Sequence, residues 1–362
     1  MPGTGKPDPN TFEKQVTIVD VAQKAGVSIA TVSRVLNQTG RYSRDTLRRV
    51  KATAAELGYA PNYMAKSLKK RRTEQIALAV ADIGNPVYVA MARAIQHVVK
   101  EHGYRLVLLS TEASVDEEIN ILRSLAKQYV DGLIISPLLY GEAHRKQLAQ
   151  VKRPVVVIGG GPDDVGVDSV YIDSAKGVRL AMEHLLDQGY SRIAFVNGPS
   201  ETVPGTVRLQ GYEGSLIEHG IPLDPGLVVQ GDFTLSGGYM AATRLLELPA
   251  LPQAVLCAND LMALGVLRRL REAGIRVPED VALVGMDDIE QARISSPALT
   301  TVSLLASERG RIAAELLLKR LTVSSGSAEP PRQVTVTPRL IVRESSVACF
   351  INSGGRLQTD RG

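Results

Sequence analysis

Between Val19 and Gln38 the chain reads VDVAQKAGVSIATVSRVLNQ. Once the apolar positions of a helix are assigned to a core, Ile29, Ala30, Ser33 and Arg34 are left over on its N-terminal, outward side. A guanidinium, a hydroxyl and two small apolar groups on the first turns of a helix suit insertion into the DNA major groove. A small helical packing module with an ordinary solvated face is the alternative reading of the same pattern. A second group of polar residues falls where predicted strands end: Asp82 and Asn85 to Tyr88, Ser110 and Thr111, Ser136, Asn197 to Arg208, Asn259 and Asp260, Asp287 and Asp288. Ligands of open α/β sheets bind outside the carboxyl ends of the strands, so these residues are expected to gather where two lobes face each other.

The elements that must position the first group are three short helices. Thr17 with Asp20 three residues on caps the first, Gly26 supplies a tight turn, and Ser28 caps the second. Val21, Ala22 and Ala25 share one face, and Val32, Val35 and Leu36 another. Two such helices bury too little surface alone. A third, starting at Ser43 and carrying Leu47, Val50, Ala54 and Leu57, supplies the missing layer.

The second group needs a different scaffold. From Gln75 the pattern alternates short apolar runs with helical ones: IALAVAD, RLVLLS, VDGLIISP and PVVVIGG, then SRIAFVNGP, AVLCAND and DVALVGMDD. These are β-α-β units with buried parallel strands, and two doubly wound lobes are implied.

Charge separates the two parts. Residues 1–72 hold 14 Lys+Arg against 5 Asp+Glu, whereas the remainder holds 28 against 33. The positive charge therefore belongs to the head, as expected if only that part touches a polyanion; a merely solvated basic terminus is the alternative. Cys257 and Cys349 are too few for a disulfide framework, and the histidines show no metal-binding spacing. No metal or cofactor is indicated. GGGPDD at Gly159 to Asp164 lacks the third glycine of a dinucleotide fingerprint, and no nucleophile elbow occurs, so no catalytic residue is expected. With neither an apolar run near 20 residues nor a signal-peptide core in MPGTGKPDPNTFEKQ, a cytoplasmic, nucleoid-associated protein without membrane contact is expected.

The stretch VDVAQKAGVSIATVSRVLNQ, the segment ELGYAPN at Glu56 to Asn62 and later motifs spread over nearly the whole chain resemble the lactose-repressor (LacI/GalR) family of bacterial transcription regulators. That resemblance implies an all-α helix-turn-helix DNA-binding head and an α/β two-lobed, periplasmic-binding-protein-like core of doubly wound parallel sheets. It implies a regulator, most simply a repressor, bound as a homodimer to a near-palindromic double-stranded operator and switched by a small-molecule effector, a sugar or sugar derivative first among the candidates. Ile29, Ala30 and Arg34 would reach base edges, Arg34 meeting guanine O6 and N7. Thr17, Ser28, Thr31, Ser33, Asn37, Ser43, Thr46, Tyr59 and Asn62 would hold phosphates. Ala65 and Leu68 would belong to a hinge helix whose leucine wedges into the minor groove.

By the same resemblance, GPSETVPGTVRLQGY places Arg208 on the effector, ANDLMALG places Asn259, GMDD places Asp287, GDFTLSGGY places Phe233, and NPVY places Tyr88; Ser136 joins them from the end of its strand. Structural roles compete at three of these. Asn259 or Asp260 could simply cap a helix, Phe233 could be core, and Asp287 could cap or pair locally. Pro204 and Gly205 replace the small or hydroxylated pair common before that arginine, and Gly159 to Gly161 stands where many sugar-responsive relatives have an acidic residue followed by a basic one, so the ligand is left open. The expected layout is a leader over 1–15, a DNA-binding domain over 16–61, a hinge and linker over 62–73, a core over 74–346 and a tail over 347–362. Within the core the lobes are expected at 74–172 with 302–332, and 173–301 with 333–346. The last dozen residues carry no leucine heptads, which favours a dimer over a tetramer. A solute-binding receptor is the competing function for the two-lobed part, set against it by the basic head.

Overall fold

The computed structural model describes residues 16–60, 72–159, 166–322 and 329–347. The chain divides between Thr73 and Glu74 into two compact units.

In the first unit, helices α1 (Ile18–Ala25), α2 (Ile29–Leu36) and α3 (Arg44–Glu56) pack around Val21, Ala22, Ala25, Val32, Val35, Val50 and Ala54. Leu36, Leu47, Leu57 and Tyr59 close over that cluster. Each helix starts on a side-chain cap. Thr17 forms a reciprocal box, its N–H donating to Asp20 Oδ2 at 2.8 Å while its hydroxyl accepts from the Asp20 N–H. Ser28 and Ser43 accept from the N–H groups of Thr31 and Thr46, each at 3.1 Å. Gly26 turns the chain between α1 and α2 at φ +62°, a conformation that costs a side-chain-bearing residue free energy.

The second unit contains, among the described residues, two six-stranded sheets. The first holds β1 (Gln75–Val80), β2 (Arg105–Ser110), β3 (Gly132–Ser136), β4 (Val155–Ile158), β5 (Asp168–Ile172) and β11 (Gln333–Val336) in the order β11-β5-β4-β3-β1-β2, all parallel. The second holds β6 (Ile193–Asn197), β7 (Val228–Gln230), β8 (Ala254–Cys257), β9 (Ala282–Met286), β10 (Thr300–Ser303) and β12 (Arg339–Ile341) in the order β12-β10-β9-β8-β6-β7. Only β12 runs antiparallel, against β10. Strands β3, β4, β6, β8 and β9 are buried along their whole length, as parallel strands covered by helices on both faces must be.

The expected lobe boundaries shift at two places. Thr300–Ser303 lies whole in the second sheet, so the crossing follows residue 303 instead of falling at 301 and 302. Gln333–Val336, expected in the second lobe, pairs in parallel with Ser169 to Ile172 at the edge of the first sheet, and the chain crosses only at Thr337 and Pro338 before β12. The run QVTVTPRLIV reads as one closing segment, yet its proline lacks the N–H a continuous ladder needs, and the strand breaks into one piece for each sheet.

Between those crossings α12 (Ala306–Thr322) returns to the first lobe and packs on α4 (Pro86–Glu101) and on β3, β4 and β5. The approach to α4 is close at Gly310, where a Cβ would lie 2.7 Å from the Met91 carbonyl oxygen. That contact fixes which residues of the first turn of α12 lie beside Tyr88 and Met91. Helices α5 (Val115–Ser124) and α6 (Glu142–Leu148) stand back from the cleft between the lobes; the starts of α4, α7 (Ser174–Asp187), α8 (Val203–Glu218) and α12 border it, as do the residues just before α9 (Leu235–Leu246) and α10 (Asp260–Glu272). A short α11 (Glu290–Ile294) follows the β9 turn. Among the described residues no helix is long and apolar enough to cross a membrane.

Candidate functional site

Two candidate surfaces stand out, one in each unit. On the head, Ile29 is 48% exposed, and Ala30 and Arg34 are exposed beside it, while Val32 and Val35 on the opposite side of the helix are buried. An isoleucine left half in water at the first turn of a helix, when its neighbours fill the core, gives α2 an outward face of mixed apolar and guanidinium character. Gly40 lies against the stem of Arg34, at 3.6 Å from its Cδ to a Cβ built there.

The residues expected on phosphates divide by their local bonds. Thr17 is occupied by its box with Asp20. Ser28 and Thr31 share a hydroxyl contact of 2.9 Å, and Ser43 and Thr46 one of 2.8 Å, so both pairs stand at helix N-termini whose first N–H groups also point outward. Asn37 turns back on α2, donating to the Ser33 carbonyl at 2.8 Å and to the Ser33 hydroxyl at 3.3 Å. Tyr59 packs half-buried on the head core, and burial raises its hydroxyl pKa. Asn62, Ala65 and Leu68 lie outside the described residues.

Between the two lobes lies a cavity of about 640 Å³. All six residues expected on an effector line it: Tyr88 and Ser136 from the first lobe, Arg208, Phe233, Asn259 and Asp287 from the second. Arg208, 8% exposed on the second turn of α8, donates through Nη1 to the Ala258 carbonyl at 2.5 Å, and its guanidinium carbon lies 5.8 Å from the Phe233 ring centroid. The Phe233 ring lies against Gly198, where a Cβ would come within 2.0 Å of Cζ. The Phe233 backbone is left-handed at φ +66°, and its carbonyl accepts from Asn259 Nδ2 at 2.8 Å. Asn259 also caps α10, accepting the Met262 N–H at 2.9 Å, so it orders two walls of the cavity at once.

Asp287 follows β9 on a backbone of φ +126°, with Asp288 after it at +59°. Two successive non-glycine residues in that region are costly and cluster at functional sites. Burial raises the Asp287 pKa to about 6, against the lowering fields of Arg208 and then Arg309. Burial likewise lowers Arg208, and lowers Arg309 to about 10, which leaves Arg309 charged at neutral pH. The Tyr88 hydroxyl is pushed up to about 12 by burial, although the field of Arg309 and a hydrogen bond with Ser136 act the other way.

Other strand-end residues serve the scaffold. Thr111 bonds Glu118 at 3.3 Å, whose other oxygen meets His144 Nε2 at 2.7 Å, all three buried. Asn197 Nδ2 holds the Gly205 carbonyl at 3.0 Å. Asp260 accepts from the Thr301 hydroxyl at 2.6 Å and the Ile289 N–H at 2.9 Å, and Asp288 is held by Arg343 and Arg293. Sequence reasoning missed Arg309, which lines the cavity from the first turn of α12, because ASERGRIAAELLL reads as an amphipathic helix with solvated arginines.

Residues 17–62 match a family profile described as bacterial regulatory proteins, lacI family, and residues 182–346 one described as periplasmic binding protein-like domain. The chain is similar to the ribose operon repressor of Escherichia coli (strain K12), 36% identical over 334 residues covering 91% of this chain and 99% of that one. It is also similar to the HTH-type transcriptional repressor PurR of Haemophilus influenzae (strain PittEE), 34% identical over 330 residues covering 91% and 98%. Among solved structures, the lac repressor dimer bound to operator and the anti-inducer ONPF superposes with a TM-score of 0.81 at 30% identity, over 92% of this chain and all of that one (100%). A transcriptional regulator CelR–cellobiose complex does so with a TM-score of 0.68 at 36% identity, over 91% and 100%.

Proposed function

Because the chain belongs to the lacI family of bacterial regulatory proteins and is a DNA-binding transcriptional regulator of the repressor kind, we propose that it acts as a cytoplasmic homodimer on a near-palindromic operator and that a sugar or sugar derivative bound between the lobes switches its affinity. In this reading Arg34 reads guanine, Ile29 and Ala30 contact thymine methyls, and the hydroxyl pairs at the starts of α2 and α3 set register on phosphates. Leu68 enters the minor groove, and Leu68→Ala lowers operator bending; an unchanged bend angle removes that assignment.

One observation carries the effector site. Tyr88, Ser136, Arg208, Phe233, Asn259 and Asp287, far apart in sequence, border a single interlobe cavity of about 640 Å³. An arginine fork, a carboxylate, two hydroxyls and an aromatic face suit a polyhydroxylated ring, its hydroxyls bridged and its apolar face stacked. Ligand closes the cleft, the first lobes of the dimer rotate, and the spacing of the two DNA-binding heads changes. The coupling is reciprocal, so operator alters effector affinity by the same factor.

The test is a thermal-shift screen of the full chain against sugars, sugar acids, polyols and nucleobases, because a ligand that binds only the native state raises its melting point. A hit that Arg208→Ala abolishes, and that changes operator affinity, supports the reading. A hit indifferent to Arg208→Ala places the ligand elsewhere.

A further inference from the structure

Arginines that serve the scaffold of this protein use their donors. Arg320, on the same helix as Arg309, grips both oxygens of Asp168 at 2.7 and 2.6 Å and also donates to the Glu329 and Pro330 carbonyls. Arg343 donates to the Leu299 carbonyl and to Asp288. Arg309 departs from that pattern. It is 7% exposed, lines the interlobe cavity, and its Nε is buried with no hydrogen-bond partner; the Nε atoms of Arg208 and Arg192 are in the same condition, but Arg192 lies outside the cavity and donates through its other nitrogens to Asp224 and the Ala250 carbonyl.

The charged and titratable groups whose fields reach Arg309 are Asp287, Arg208 and Tyr88. One carboxylate thus stands against two guanidinia in an enclosed space, and a buried cation without its counter-charge costs several kcal/mol. Three other carboxylates, Asp82, Glu112 and Asp232, also stand on the cavity wall. The two arginines also come from opposite lobes, Arg208 from α8 of the second and Arg309 from α12 of the first.

We propose that the effector carries one anionic group, a carboxylate or a phosphate, which Arg309 and Arg208 bind together, so that the anion fastens the two lobes across the cleft. A planar guanidinium fork matches either anion in a bidentate way, and the unused Nε supplies one arm of the fork. The hydroxylated remainder of the ligand then faces the Asp82, Glu112 and Asp232 carboxylates, which accept from hydroxyls and repel a second anion. This rests on the interlobe cavity being the effector site.

The test compares three sets of probes on the full chain at constant ionic strength: neutral aldoses, the aldonic and uronic acids made from them, and the sugar phosphates. Affinities are measured by calorimetry for the wild type, Arg309→Met, Arg309→Lys and Arg208→Ala. The expected result is that an acid or a phosphate binds at least about tenfold tighter than its neutral parent, the two arms naming which anion is used. Arg309→Met then lowers anion affinity by about 10- to 100-fold, far more than it lowers that of the neutral parent, and so narrows the gap, while Arg309→Lys restores part of it. In the absence of ligand Arg309→Met raises the melting temperature, because an uncompensated buried cation is removed; a structural arginine would lower it.

Neutral sugars binding as tightly as their acids, with Arg309→Met indifferent and Arg208→Ala destructive, overturn the anion and leave the cavity standing. A bound probe unaffected by Arg208→Ala overturns the cavity as effector site. No binding by any acid or phosphate overturns the proposal.

Discussion

Asp260 offers a quantitative check on the electrostatics behind the cavity wall. The side chain is fully buried at the start of α10, one oxygen accepting from the Thr301 hydroxyl and the other from the Ile289 N–H, so that it ties the turn carrying Asp287 to β10. Burial is the largest influence and raises its pKa from 3.8 to about 7, helped by the carboxylates of Asp287 and Asp288 and opposed by the two hydrogen bonds. In the unfolded chain the carboxyl ionises near 3.8; in the folded chain it keeps its proton to about 7. Across that window the native state binds more protons, so this group makes the protein less stable as pH rises, with no further change above the window. At roughly 1.4 kcal/mol for each tenfold difference in proton affinity, the loss at pH 8 is on the order of 4 kcal/mol. Asp260→Asn keeps the geometry, its carbonyl accepting from Ile289 and its amide donating to Thr301, without a charge to bury. The variant is expected to match the wild type at pH 4 and to exceed it by several kcal/mol at pH 8, in urea unfolding followed by far-ultraviolet circular dichroism. The titration of Asp287 is common to both chains and cancels in the difference to first order. A difference independent of pH, or a variant weaker at pH 8, would refute the reasoning, because the carboxylate would then be ionised and adequately held.

Three further outcomes follow from the geometry. Gly198→Ala drives a methyl to 2.0 Å from Phe233 Cζ, so the ring must move by more than an ångström toward the cavity; effector affinity should fall about tenfold or more with operator affinity in its absence unchanged, read by fluorescence anisotropy on labelled DNA. Arg34→Ala should cost about 1–3 kcal/mol at a cognate operator and relax discrimination at one base pair; an equal loss on random DNA would make Arg34 a phosphate contact. Ser28→Ala removes the acceptor of the Thr31 N–H, and should lower the stability of the head by about 1 kcal/mol, seen as an earlier first transition in thermal melting of the full chain.

Local chemistry wrote the head into the sequence: Thr17, Ser28 and Ser43 cap the three helices and Gly26 takes the left-handed turn, all within four residues of the partners that define them. The alternation of buried strands and helices was equally readable, since burial on both faces leaves continuous apolar runs such as AVLC and GLIIS. The six cavity residues come together because five sit at or next to a strand end or helix start and Arg208 on the second turn of α8, positions periodicity and motif resemblance mark. Arg309 was hidden because nothing local distinguishes it from Arg311, which pairs with Glu315 in solvent; only the close crossing of Gly310 on Met91 turns one inward and leaves the other out. The second lobe crossing was hidden for a related reason. Which sheet accepts QVTV is decided by the exposed edge of β5, 164 residues earlier, and not by the segment itself.

That last pairing has a consequence for how the protein is made. One outer strand of the first sheet is Gln333–Val336 and one of the second is Arg339–Ile341, the opposite edges being β2 and β7. Neither lobe has its full hydrogen-bonded edge until the ribosome has released almost the whole core, although β1 to β5 are available long before. During translation the edges of β5 and β10 therefore stand open, each a parallel or antiparallel template awaiting a strand that has not yet been synthesised. A chain cut short between Thr322 and Gln333 would carry two unfinished sheets instead of one complete lobe and one missing lobe, so termination there should yield aggregates and not a working half-protein.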